Sequence, residues 1–237
     1  LILDDDMTLR PDALVGHVAA HTRRARAIIG RIEPDPNTFH GPFGAFLADE
    51  ELARHARLAA SAENVAFTDC LTGHFSIRRD LLRAVGGYQA RFSRYGFEDI
   101  ELAWRLIHRG IRLAYRERLV AVHRSPHANF TTVCRRHREV GAMAVTFASA
   151  HQDEAVRAFL RLDGMRGRRE PTPFRRAMSA AHTTVRSLPR GPREVLLAAA
   201  RAAVAVLERI GPRRFRHAAY HIVRDMHYAA GIAEARR

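Results

Sequence analysis

The chain has 237 residues and is 47% hydrophobic, with 39 basic side chains, all arginine, against 25 acidic ones and a formal net charge of +14. That length and apolar content suffice for a buried core, in one domain with an extension or in two small domains, and exclude a disordered chain. Two cysteines without CxxC spacing, Cys70 and Cys134, exclude a disulfide framework and read as reduced thiols of a cytoplasmic protein, and no apolar run is long enough to span a bilayer.

In chain order, "LIL" (1–3) reads as a short apolar strand running straight into Asp4, Asp5 and Asp6. Pro11 to Ala20 has helical period, and Ala27 to Ile32 is a second strand, followed by the turn signal "EPDPN" (33–37). "SIRRDLLRAVGGY" (76–88) predicts a short helix with Leu81, Leu82 and Val85 inward and Gly86 or Gly87 in the left-handed C-terminal position. "FEDIELAWRLIHRG" (97–110) predicts an amphipathic helix ended by Gly110. Ile100, Ala103, Trp104 and Ile107 share its apolar face, Trp104 reads as core, and Glu101 and Arg105 form an i,i+4 pair. "RLAY" (112–115) and "VAVH" (120–123) follow as two short strands.

Beyond about residue 122 the chain becomes Arg- and Ala-rich. "MRGRREPTPFRR" (165–176) reads as a basic, Pro-containing linker, and two helices follow at Pro192–Ile210 and Arg214–Glu234, separated by "IGPRR". The expected division is thus an α/β part over 1–150 and an Arg/Ala-rich helical C-terminal extension over 151–237. Basic amphipathic helices of this kind suit either the surface of an anionic membrane or a helical cap with a solvated arginine face.

Two acidic positions carry chemistry. Three carboxylates at a strand end repel one another, and a hard divalent cation, Mn²⁺ or Mg²⁺, is an economical neutraliser, with Asp4 and Asp6 sharing it; a solvated turn or a helix cap is the alternative. Glu98 and Asp99 open a helix after a Gly-containing loop, where they either meet a substrate or complement the helix dipole.

The order "LDDDM", then "TGHFSIRRDLLRAVGGYQARFSRYGFEDIELAWRLIHRG", then "AVH" resembles family 2 type glycosyltransferases of the GT-A fold with a galactosyltransferase-like C-terminal segment, over residues 1 to about 125 and more loosely to about 150. The resemblance implies an α/β, Rossmann-like GT-A fold lacking its first βαβ units, so that 1–150 would be the metal- and acceptor-binding part of the catalytic domain. It implies a metal-dependent, inverting transfer from a nucleotide-sugar donor to a hydroxyl acceptor; the basic C-terminal helices would suit a cell-envelope glycan or lipid-linked saccharide as acceptor, and a cytoplasmic location extending to the inner face of the cell membrane. Asp4, Asp5 and Asp6 correspond to the DXD motif, with Asp4 and Asp6 as metal ligands. Thr72, Gly73 and His74 correspond to the loop lining the sugar pocket, His74 standing where many relatives carry Asn. Glu98 and Asp99 correspond to the acceptor-site acids, Asp99 being the general base. His123 corresponds to a late histidine at the metal or diphosphate, with His127 as its competitor.

Two other classes are compatible with parts of the sequence. A basic nucleic-acid-binding or membrane-surface module without catalytic activity fits the charge, but no RNP-like, zinc-finger or basic-zipper pattern supports nucleic acid. A metal-dependent phosphoryl-transfer enzyme or nuclease would use the three aspartates equally well and leave "GFEDIEL" without a purpose.

Overall fold

The computed structural model describes residues 1–21, 26–124, 129–160 and 172–236. The chain divides into two compact units, Leu1–Ala90 with Glu98–Ala128, and Arg91–Phe97 with Asn129–Arg237.

The first unit is mixed α/β. In chain order it contains β1 (Ile2–Leu3), β2 (Met7–Leu9), α1 (Ala13–Ala20), β3 (Arg26–Pro34), α2 (Gly41–Ala60), β4 (His74–Ile77), α3 (Arg79–Ala84), α4 (Glu98–His108) and β5 (Arg112–His123). The strands form one sheet in the order β1-β4-β3-β5-β2, in which β3 and β5 are parallel and the other pairs antiparallel. The apolar run of β3 is buried on both faces, as befits a central strand. Ala27 and Ile29 join Phe75, Leu113 and Tyr115 in a core with Leu58 of α2 and Leu102, Ala103 and Leu106 of α4. Ile28, on the other face, packs with Ala114 and Leu119.

The two strands expected at 112–115 and 120–123 are one strand with an insertion. Gly30 and Arg31 are consecutive in β3, but their partners are Arg116 and Val120, so Glu117 to Leu119 bulge out of register. In α4 the deeply buried positions are Leu102, Ala103 and Leu106, while Ile100, Trp104 and Ile107 are half-buried. Trp104 is therefore not fully in the core: its ring stacks on His108 one turn later, with centroids 3.8 Å apart.

The Glu101–Arg105 pair exists and is more than a surface pair. Glu101 is buried and accepts two bonds from the Arg105 guanidinium at 2.7 and 2.8 Å, while Arg105 also donates to the carbonyls of Val85 and Gly87. It thereby clamps α4 to the end of α3, where Gly86 (φ 83°) and Gly87 (φ 62°) both adopt the left-handed conformation that glycine tolerates best.

A buried polar chain crosses from α1 to β4. His21 Nε2 lies 2.8 Å from Ser76 Oγ, which lies 2.7 Å from His17 Nδ1; His17 Nε2 lies 2.9 Å from His74 Nε2, and His74 Nδ1 lies 3.0 Å from the Arg31 carbonyl. One assignment satisfies every contact with all three rings neutral: each ring donates in the direction of Arg31, and the serine hydroxyl passes the sense along. Burial lowers all three histidines, His17 to about 4.

Beyond Asn129 the second unit is built, among its described residues, of helices: α5 (Phe130–Ala150), α6 (Glu154–Leu160), α7 (Pro173–Ser187), α8 (Arg190–Ile210) and α9 (Arg213–Ala235). α5, α7 and α8 pack on α9. The crossing of α5 and α9 is close because both helices carry glycine there: a Cβ on Gly141 would stand 2.0 Å from the Tyr228 carbonyl oxygen, and one on Gly231 1.9 Å from that of Arg138. Arg138 of α5 bridges Glu194 of α8 and Glu234 of α9. The expected division at residue 150 falls at the end of α5, a helix whose packing on α9 puts it in this unit.

Part of the expected linker at 165–176 is helix. Pro173 occupies the first turn of α7 and the Thr172 hydroxyl caps the Arg175 amide, so Pro here starts a helix; residues 165–171 lie outside the described residues. No helix among the described residues is long and apolar enough to cross a membrane. Both cysteines are buried free thiols.

Candidate active site

Asp4 to Asp6 form the turn between β1 and β2. The Asp4 amide donates to the Gly73 carbonyl (3.1 Å) and its carbonyl accepts from Met7 (3.2 Å), closing a four-residue turn. Asp6 is pinned twice by the end of β5: its carbonyl accepts from the Arg124 amide (2.8 Å) and its carboxylate lies 3.1 Å from His123 Nε2. His123 in turn lies against Phe39, with ring centroids 5.4 Å apart. Asp5 is exposed. A side chain at Gly73 would run into the Asp4 carboxylate at 2.5 Å, so the glycine is what lets Asp4 lie against this backbone.

Asp99 comes to the same place from the first turn of α4. The chain enters that helix through Gly96 (φ 107°) and Phe97 (φ 71°), the latter a conformation uncommon outside glycine. Thr72 holds Asp99 by its amide (3.1 Å) and its hydroxyl, and Tyr88 donates to that hydroxyl at 2.7 Å. With Tyr88 donating, the Thr72 proton is left for Asp99.

The carboxylates feel one another. Partial desolvation raises Asp4, with Asp99, Asp6 and Asp5 adding repulsion and His123 countering it. Burial likewise raises Asp99, against the hydrogen bonds of Thr72 and the charge of Arg54. Burial also pushes up the Tyr88 phenol, with Asp99 and Glu98 adding to the effect, and the Cys70 thiol, with Asp99 contributing. Glu98, half-buried, is the first residue of α4.

Of the residues singled out in the sequence, Asp4, Asp6, Thr72, Gly73, Asp99 and His123 are therefore linked by contact or charge. His74 is turned elsewhere: it is fully buried and committed to His17 and the Arg31 carbonyl. His127 lies outside the described residues. Tyr88 does not stand out in the sequence, where it only closes the segment "SIRRDLLRAVGGY"; nothing local signals that its hydroxyl reaches Thr72, sixteen residues earlier.

The donor types gathered here are those a divalent cation takes. Three mutually repelling carboxylates with one imidazole offer hard oxygen ligands and one nitrogen, as Mn²⁺ and Mg²⁺ accept. Among the described residues no group of three or more histidine, cysteine, aspartate or glutamate side chains is placed to hold a metal ion, so for Asp4, Asp6 and His123 to take one their side chains would have to draw together around it, with phosphate oxygens completing the shell.

No curated protein matches the chain. Residues 53–133, which hold Thr72, Gly73, Tyr88, Glu98, Asp99 and His123 but not the aspartate turn, match the family described as the N-terminal domain of galactosyltransferase, and this supports a glycosyltransferase-like domain.

Proposed function

We propose that the first unit carries the centre of a metal-dependent, inverting glycosyltransferase that moves a sugar from a nucleotide-sugar to a hydroxyl acceptor. The observation that carries this reading is that Asp4 feels the charge both of Asp6, which lies against His123, and of Asp99 from a distant segment. Asp4 and Asp6 would hold Mn²⁺ or Mg²⁺ together with His123. When bound, the cation supplies Lewis-acid neutralisation of a diphosphate leaving group.

The remaining work belongs to the chain itself. Asp99 takes the proton of the attacking hydroxyl: its desolvation makes it a stronger base than an exposed aspartate, and Thr72 fixes its orientation while leaving a lone pair on each oxygen. Glu98, beside it at the helix start, is placed to accept from a second acceptor hydroxyl. Gly73 keeps the floor open for Asp4. Because His74 is committed within the sheet, donor preference would fall to Thr72, Gly73 and Tyr88 rather than to its ring.

The test is titration of Mn²⁺ into the chain with a nucleoside diphosphate present, followed by transfer assays across nucleotide-sugars. Asp6→Ala should abolish metal-dependent nucleotide binding, and Asp99→Asn should keep binding and lose transfer. Equal Mn²⁺ affinity in wild type and Asp6→Ala would refute the assignment of the turn.

A further inference from the structure

α8 is apolar on two opposite faces. Leu197 and Val204 are buried on the inner one. The outer face presents Val195, Ala199, Ala202, Val206 and Ile210 at helical spacing, all exposed, with Val195 71%, Val206 56% and Ile210 80% accessible. Beyond Gly211 and Pro212 the first turn of α9 adds Phe215, half exposed, with the Arg214 guanidinium 4.8 Å from its ring centroid. The stripe runs roughly 22 Å along the helix, at 1.5 Å per residue.

Its electrostatic setting is one-sided. Residues 172–236 contain twelve arginines and four acids, and each acid is engaged inside the unit: Glu194 and Glu234 with Arg138, Asp225 with His182, and Glu208 with the Tyr220 hydroxyl. Arg209, Arg213 and Arg214 are exposed at the end of the stripe. α7, α8 and α9 all lack an acid in the first turn, and α9 opens on Arg213, Arg214 and Arg216, where the helix dipole is already positive. Such placement opposes helix stability and concentrates positive potential beside exposed apolar side chains.

We infer that the outer face of α8 and the α8–α9 corner dock on an anionic lipid bilayer, the stripe lying in the plane of the interface and Arg209, Arg213 and Arg214 pairing with headgroup phosphates. An apolar stripe edged by guanidinium groups matches the layered chemistry of that interface, acyl chains beneath phosphates. A second copy of the chain fits worse, because a symmetric contact through this face would meet these arginines with another arginine-rich, acid-poor surface.

The test is co-sedimentation of the full chain with vesicles of phosphatidylcholine alone or mixed with phosphatidylglycerol, at low and high salt. Binding is expected only to the anionic vesicles and to weaken with salt. Two surface variants dissect it. Val206→Ser with Ile210→Ser should lower partitioning about tenfold through lost apolar burial. Arg209→Gln with Arg213→Gln and Arg214→Gln should lower it about a hundredfold, from about 1 kcal/mol per arginine. Both keep the inner face intact, and circular dichroism checks that they fold. Background sedimentation with anionic vesicles, or undiminished binding by both variants, overturns the inference. So does dimerisation in light scattering that the serine variant abolishes, which would assign the stripe to a second copy. None of these readouts depends on the activity proposed for the first unit.

Discussion

Thr72 grips both oxygens of Asp99, one through its amide and the other through its hydroxyl. These bonds oppose the upward push of burial on Asp99. Thr72→Val keeps the amide and removes the hydroxyl, so Asp99 should rise further and the acid limb of the transfer pH–rate profile should move to higher pH. Tyr88→Phe should move the limb the same way by less, since it frees the Thr72 hydroxyl without deleting it. A profile that stays put in Thr72→Val would remove Asp99 from the base role.

Gly73→Ala tests the proposed cation site apart from folding. The new methyl meets the movable ends of Asp4 and Met7 rather than backbone, so thermal stability should change by less than about 1 kcal/mol. Displacing Asp4 should weaken Mn²⁺ binding by about tenfold or more, read by titration.

The histidine chain between α1 and β4 should make the first unit acid-sensitive. His17 is held neutral down to about pH 4 by burial and by its neighbours His74 and His21. Because its folded pKa lies below the unfolded value of 6.5, the unfolded state binds the proton first, and stability falls as pH drops from about 6.5 towards 4. The shift corresponds to a loss on the order of 3 kcal/mol for this side chain. Urea unfolding from pH 7 to pH 4 should show wild type losing about that much more than His17→Leu, a comparison that cancels carboxylate effects common to both. Parallel curves for the two proteins would mean that the ring is not held neutral.

Neither Gly141 nor Gly231 can yield to alanine easily, because the atoms met are backbone carbonyls of the facing helix. Each substitution should cost about 3 kcal/mol, the upper end of the overpacking range. The loss should appear in helices of the second unit by hydrogen exchange, leaving protection of β3 and β5 unchanged. Uniform loss across both units would mean that the crossing is not a local determinant.

What could be read from sequence followed from local signals. The apolar run of β3, Gly110 after α4 and Gly211-Pro212 between α8 and α9 mark boundaries through the chain's immediate covalent properties, and the observed ends lie within two residues of those expected. α2 was missed because its buried positions include Arg54 and His55, which break the apolar period even though Phe43, Phe46 and Leu58 are buried. α5 was missed for a similar reason: its first turns are rich in Arg and His and its close contact is made by a glycine. The candidate acids stand out in the sequence because charge repulsion and helix starts are local. The engagement of His74 could not be read there, because its partner, His17, lies 57 residues away, and no periodicity reports such a pairing.

The sheet order has a geometric consequence. β1 and β2 occupy opposite edges, yet only Asp4, Asp5 and Asp6 separate them. Four strand spacings in a flat sheet amount to about 19 Å, whereas the four peptide steps from Leu3 to Met7 reach at most about 14 Å. The aspartate turn is therefore a short tether drawn across one end of the sheet, and the sheet must curl for the tether to close. Lengthening it by a few glycines would let the edges relax apart, and the carboxylates would lose their common position before any of them had been replaced.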